Sequence, residues 1–345
     1  MNNKKIRDYG IIIGSIPTGK NNSITDVKGV KVGHKTLNNG NIKTGVTAVV
    51  PHEGNIFKEK LIAACHVING FGKSTGLVQI EELGTLETPI ILTNTLSVGT
   101  AHEALVRYML ENNDDIGDTT GTVNPVICEC NDGEINDIRG LHVKKEDVFD
   151  AIKSADVEFE EGNVGAGTGM ICYDLKGGIG SSSRVIELDD KEYTIGVLVL
   201  SNFGSLEDFV LNGEHIGPKL KEKIGQLEKR EDKGSIILIL ATDIPLSSRQ
   251  LKRVIKRVYP GISRTGSYTG NGSGEIVIGF STANIIKHYE ESDIINIKVI
   301  NENKINKIFK ATVEATEEAI LNSMICSNST VNRKGKTIYS LKDLI

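Results

Sequence analysis

The chain has 345 residues, with 45 acidic against 40 basic side chains and a formal net charge of −5. An apolar share of 39 % and 37 glycines in no fixed period exclude a collagen-like or disordered chain, and the length allows one large domain or two ordinary ones. With no tryptophan, eight Phe and eight Tyr, the chain lacks the basic footprint and stacking platforms of a dedicated nucleic-acid binder.

Lys4, Lys5 and Arg7 are followed only by the short apolar piece Tyr9–Gly14, which is too brief for a secretory core segment. Strands are expected at Val46–Val50, Leu61–Ile68, Pro89–Leu92 and Asn124–Cys130, where Val and Ile run between Gly, Asn and Asp borders. Helices are expected between them at Val98–Leu110 and Glu146–Ser154. Tyr193–Leu200 reads as the next strand. Asn212–Gly234 then breaks the rhythm, being polar, rich in both charge signs and poor in apolar periodicity, which predicts an exposed loop or linker. It runs straight into Ser235–Ala241, a strand containing the longest purely apolar run, Ile236–Ala241, far short of the ~20 residues a bilayer needs.

One amphipathic helix is predicted at Ser248–Tyr259, where Arg249, Lys252, Arg253, Lys256 and Arg257 interleave with Leu251, Val254, Ile255 and Val258. A strand at Glu275–Phe280 and a helix at Ile305–Met324, on which Ile308, Val313, Ala315, Ala319 and Ile320 approximate one apolar face, complete an α/β or α+β class with helix-covered sheets. The five cysteines, an odd number at irregular spacing, make no disulfide framework. The expectation is a soluble, reduced, cytoplasmic protein with neither nucleic acid nor membrane as partner.

Several signatures fail on inspection. Gly72-Lys73-Ser74 lacks the earlier glycine of a phosphate loop, since Val67 stands there. His102-Glu103 lacks the second histidine of a zinc peptidase, because Val106 occupies its place. Gly165-Ala166-Gly167-Thr168-Gly169 has the wrong spacing for a dinucleotide site. Cys128-Glu129-Cys130 has no second pair, so two buried thiols on one strand face are expected rather than zinc. No metal or cofactor follows from the sequence.

Two serines remain. Ser74, in Gly72-Lys73-Ser74-Thr75-Gly76, matches a nucleophile elbow and would need His215 or His288 as its base, in an esterase of the α/β-hydrolase type. Ser235 follows Gly234 at the edge of the polar segment. A serine hydroxyl needs an adjacent base. Cutting the Gly234–Ser235 bond would create one, because a free α-amine titrates at ~7.7–8.0 and can take the hydroxyl proton itself. Glycine before the serine leaves the peptide conformationally free and its carbonyl open to attack.

Further segments extend this reading. They are Ser23–His34 (SITDVKGVKVGH), Pro125–Gly133 (PVICECNDG) continuing through Asn136-Asp137-Ile138, Gly162–Gly169 (GNVGAGTG) and Ser201-Asn202-Phe203-Gly204. After Gly234-Ser235 come Ala241-Thr242-Asp243, Gly272–Ile276 (GSGEI) and Ser281–Asn284 (STAN). In this order the chain resembles, from about Gly19 to Ala319, the DmpA-type family of N-terminal-serine aminopeptidases, the L-aminopeptidase/D-esterase and β-peptidyl aminopeptidase group.

The resemblance implies a four-layer αββα sandwich like that of N-terminal-nucleophile hydrolases. It implies a single-domain precursor that cleaves itself into an α chain, 1–234, and a β chain, 235–345, assembled as tetramers of αβ units. Ser235 would be the nucleophile of both cleavage and turnover. Ser273 and Glu275 match the supporting serine and glutamate, alternate along one strand and so share a face. Asn202 matches the oxyanion-stabilising asparagine, assisted by the Asn131 N–H, and Glu129 falls where a carboxylate receives the substrate's free amine. Substrates would be short peptides, amino-acid amides or esters. Asn131 and Glu134 are polar where some members carry aromatic or apolar side chains. Two alternatives stand beside this reading, the Ser74 esterase and an uncleaved homologue serving as a binding or assembly protein. A threonine-nucleophile acyltransferase group with a similar fold is disfavoured by Ser235.

Overall fold

The computed structural model describes residues 4–225 and 234–345. Two sheets form its centre. The smaller has the order β1-β2-β5-β6, from Lys31–Asn39, Ile42–Val50, Ile90–Asn94 and Val126–Cys130. The larger has the order β4-β3-β10-β9-β8-β7, where β3 is Glu59–Gly70, β4 Thr85–Leu86, β7 Gly178–Leu188, β8 Lys191–Asn202, β9 Ser235–Thr242 and β10 Gly274–Lys287. Helices α2 (Val98–Glu111) and α3 (Lys145–Lys153) cover the small sheet, after the short α1 (Leu77–Leu83). Beyond α4 (Gly217–Lys223), helices α5 (Ser248–Ile255) and α7 (Asn306–Ile325) cover the large sheet, and α6 (Val258–Arg264) packs on α7. The result is an αββα sandwich.

Strand β9 shows why its sequence is apolar without alternation. Ile237, Ile239 and Ala241 enter the core between the sheets, while Ile236, Leu238 and Leu240 enter the core beneath the helices. A strand covered on both faces has no polar side. Its neighbours are β8, antiparallel, and β10, parallel.

Every expected strand is present, and three expectations change. Residues 212–225 are not a bare linker, since a short hairpin, Val210–Leu211 with Glu214–His215, leads into α4. Its apolar periodicity is too short to register, with Gly217 and Leu220 the buried positions of α4. Residues 226–233 of the expected linker lie outside the described residues. The helix expected at Ser248–Tyr259 is two helices, α5 ending at Ile255 and α6 starting at Val258. Helix α7 is buried nearly all round from Glu314 onward rather than along one face.

That burial is matched by polar partners on β7, a strand that hydrophobicity conceals. Ser181, Ser182, Ser183 and Arg184 are fully buried. Arg184 donates to Glu318 Oε2 at 2.7 Å, to the Ile13 carbonyl at 2.8 Å and to the Ser183 carbonyl at 2.7 Å, and pairs with Glu314 at 3.4 Å. Removing one side of a buried pair leaves the other charge uncompensated. Arg184→Met is therefore expected to lower the unfolding free energy by about 3–5 kcal/mol, read from urea denaturation.

Candidate active site

The site is built where β8, β9 and β10 lie side by side. Ser235 is the first residue of β9, and its register partners are Asn202, the last residue of β8, and Gly274, the first of β10. Alternation sends the Ser235 side chain to the inter-sheet face shared by Ile237 and Ile239. Asn202 shares that face with Leu198 and Leu200. Both residues are buried, Ser235 7 % exposed and Asn202 9 %. Below them, the Cys130 thiol meets the Ser235 carbonyl at 3.5 Å. Cys128 and Cys130 are unpaired and fully buried, and burial pushes the Cys128 thiol up to about 12, so the pair is inert packing, as expected.

The amide of Asn202 is held at both ends. Its Oδ1 accepts the Ile171 N–H at 2.9 Å, and its Nδ2 donates to the Asn131 carbonyl at 3.1 Å. Asn131 turns the chain after β6, its own Oδ1 accepting the Gly133 N–H at 2.9 Å. Asn131, Asn202 and Gly234 line one cleft of about 580 Å³ with Glu134, Phe203 and Lys334. Of the expected site residues, Asn131, Asn202 and Gly234 thus meet in one cavity wall, with Ser235 directly behind.

Gly234 is glycine for a reason other than backbone freedom. A Cβ there would lie 2.0 Å from the Asn202 carbonyl oxygen and 2.5 Å from the Phe203 Cα, so nothing larger fits. Its carbonyl accepts the Gly274 N–H at 3.0 Å, which polarises the bond that precedes Ser235. Gly234→Ala is expected to displace that peptide and slow any cleavage there at least tenfold, measured as precursor remaining on a denaturing gel.

Ser273 and Glu275 are fully buried, and the Ser273 hydroxyl donates to Glu275 Oε1, so the two do share a face. That face is not the one Ser235 uses. Glu275 pairs with Ile236 across the ladder and lies with Val277 toward the helices, whereas Gly274 turns toward the Ser235 Cβ. The pair flanks the backbone of the Gly234–Ser235 junction rather than the hydroxyl.

Glu129, on β6, is 4 % exposed, takes the Lys73 N–H at 2.9 Å on Oε1 and accepts the Thr95 hydroxyl on Oε2. It is outside the cleft lining, behind the Phe71–Lys73 turn that approaches Gly274.

Ser74 gains no such setting. Its hydroxyl is buried beside the Cys128 thiol, and no histidine is among its partners in the described residues. His102 meets Thr75 instead, His215 the Glu207 carbonyl and His288 Thr120. Gly76, with φ +86°, ends the loop into α1. Among the described residues no histidine addresses Ser74, which leaves the elbow reading without its base.

Sequence reasoning missed the cleft's far wall, which includes Arg333 and Lys334. They sit beyond the resembling segments, in a turn between two-residue strands, and no pattern in the sequence marks them. Phe203 was within reach, following Asn202 in a segment already singled out.

An αββα sandwich with a serine heading its central strand matches a variant of the N-terminal-nucleophile hydrolase fold. The family model described as peptidase family S58 matches residues 22–338, and the chain belongs to that family. It is a hydrolase acting on peptide bonds. A β-peptidyl aminopeptidase, BapA, from Sphingosinicella microcystinivorans is 38 % identical over 98 % of this chain and 89 % of its own length. The crystal structure of the PH0078 protein from Pyrococcus horikoshii OT3 is 54 % identical, with TM-score 0.93 over 98 % of this chain and 96 % of that one. The L-aminopeptidase D-Ala-esterase/amidase of Ochrobactrum anthropi, described as a variant of the Ntn-hydrolase fold, is 35 % identical with TM-score 0.91, over 98 % and 95 %.

Proposed function

We propose that this chain is a self-processing serine aminopeptidase that cuts its own Gly234–Ser235 bond and then hydrolyses short peptides, amino-acid amides or esters. The observation that carries it is the position of Ser235. It heads the central strand, opposite Asn202, behind a glycine that only a glycine can replace and whose carbonyl is already hydrogen-bonded.

In self-cleavage the Ser235 hydroxyl attacks the Gly234 carbonyl carbon, and the Gly274 N–H stabilises the oxyanion. The hydroxyl proton passes to the departing nitrogen as the C–N bond breaks, and that nitrogen becomes the α-amine of Ser235. Water then hydrolyses the Gly234 ester, freeing the hydroxyl and leaving a carboxylate on Gly234. In turnover that amine takes the hydroxyl proton as Oγ attacks the substrate carbonyl, then passes it to the leaving amine. Asn202 Nδ2 and the Asn131 N–H face the developing charge. Water releases the acyl group from Ser235. Glu275, supported by Ser273, faces the new ammonium from the helix side and tunes its proton affinity. Glu129, although outside the cleft lining, is the carboxylate that the resemblance assigns to the substrate's free amine, each of its oxygens keeping a lone pair beyond the bond it already accepts.

The names of the relatives, β-peptidyl aminopeptidase and L-aminopeptidase D-Ala-esterase/amidase, support substrates with a free amino terminus. Among L-Ala, D-Ala and β-homoalanine p-nitroanilides, at least one is expected to be cleaved, and its N-acetyl form to be cleaved at least 100-fold more slowly. Equal rates for the two forms would remove the role given to Glu129. The resemblance further supports tetramers of αβ units, and the five thiols support a reducing, cytoplasmic setting. Among the described residues no helix is long and apolar enough to cross a membrane.

A further inference from the structure

Lys176 is fully buried, and its ammonium donates to three backbone carbonyls: Gly167 at 3.0 Å, Met170 at 2.8 Å and Gly177 at 2.6 Å. Among the described residues it forms no ion pair. Taking an ammonium out of water costs several kcal/mol, and a methionine would fill similar space without that cost. Burial pulls its pKa down to about 7, against the upward pull of Cys172 and Asp132, the titratable groups that face it. A deprotonated amine still has two N–H groups, so the side chain remains a donor on either side of neutrality.

One of the three carbonyls leads to the proposed catalytic centre. The Met170 carbonyl belongs to the same peptide group as the Ile171 N–H, and that N–H donates to Asn202 Oδ1 at 2.9 Å. A single peptide unit therefore links the buried cation to the Asn202 amide. A cation on the oxygen of a peptide strengthens the donor at its nitrogen, because successive hydrogen bonds polarise one another. The donor decides which end of the amide is which. With Oδ1 tied to Ile171, Nδ2 faces Asn131 and the cleft. A half-turn of the amide would place an acceptor where negative charge has to develop.

We propose that Lys176 is a positioning residue that keeps the Asn202 amide in its donor orientation through the Met170–Ile171 peptide. This rests on the reading of Asn202 as the oxyanion donor.

The test is a double-mutant cycle on the self-processed enzyme, with kcat and KM measured on an amino-acid p-nitroanilide it cleaves. Lys176→Met is expected to lower kcat about 10- to 100-fold with KM changed less than twofold, within the scale for loss of one oxyanion donor. Lys176→Gln, whose amide can still donate to Met170, is expected to recover at least half of that loss on a logarithmic scale. In an Asn202→Ala background neither substitution should change kcat more than twofold.

Ile171→Pro removes the linking N–H while leaving Lys176 in place, and keeps the test available if the methionine variant does not fold. Met170, at φ −88° and ψ 146°, already has the extended backbone that a following proline requires. It is expected to give the same loss of kcat. Equal losses from Lys176→Met in both backgrounds would show a general structural role and overturn the proposal, as would wild-type kcat in Ile171→Pro. Wild-type kcat in Asn202→Ala alone would overturn the underlying reading instead, and is seen without touching Lys176.

Discussion

A Ser235→Ala protein is expected to purify as one uncut chain and to lose at least about 10⁴-fold in kcat, the scale on which removal of a serine nucleophile is felt. The substitution deletes one oxygen from a buried strand position and leaves the backbone pairing with Asn202 and Gly274 untouched. Its melting temperature should therefore stay within a few degrees of wild type, which separates lost chemistry from lost fold. The two losses have one cause. Without the hydroxyl the Gly234 carbonyl has no internal attacker, so the α-amine that would serve as base is never released.

Asn202→Ala is the second large effect. Asn202 lines the cleft, its Nδ2 donates one N–H to the Asn131 carbonyl, and the second N–H is the donor assigned to the oxyanion. Loss of such a donor costs about 10²–10³ in kcat with little change in KM, measured by steady-state kinetics on the same anilide. Self-cleavage is expected to slow less than tenfold. The carbonyl attacked in that step is that of Gly234, which takes its hydrogen bond from the Gly274 N–H at 3.0 Å. A variant that processes itself but barely turns over would separate the two oxyanion sites. A variant that remains uncut would show that they are one.

What the sequence reveals follows from how each residue meets its burial requirement. Strand β9 is legible because both faces are apolar, β2 and β10 because Val and Ile recur along them, and β3 because Leu61–Cys65 is an unbroken apolar run. Strand β7 is not, because Ser181, Ser183 and Arg184 satisfy burial with hydrogen bonds rather than with hydrocarbon. Periodicity registers only the hydrocarbon kind. Helix α7 misleads for the same reason, its Glu314 and Glu318 being buried partners of Arg184 rather than a solvated face. Short segments such as α4 carry too few buried positions to show a period.

The candidate site divides along the same line. Ser235, Asn202, Ser273 and Glu275 lie in short strings whose order is visible in the sequence, and the fold brings them around one junction. The reason for Gly234 was not legible, because it depends on the Asn202 carbonyl, which is distant in sequence yet would lie 2.0 Å from any Cβ at position 234. Nor was the face on which Glu275 lies relative to Ser235, which the parallel register of β9 with β10 decides. Lys176 gave no signal because its partners are backbone carbonyls, and any sequence has those.

The central claim is that Ser235 becomes a chain terminus. Intact-mass and N-terminal sequence analysis of the purified wild-type protein tests it most directly. The expected result is two chains, spanning residues 1–234 and 235–345, the smaller beginning Ser-Ile-Ile-Leu. A single full-length chain without activity would favour an uncleaved binding or assembly protein. A single full-length chain that hydrolyses amino-acid anilides would contradict the account outright, because its catalytic base is an amine that only cleavage can create.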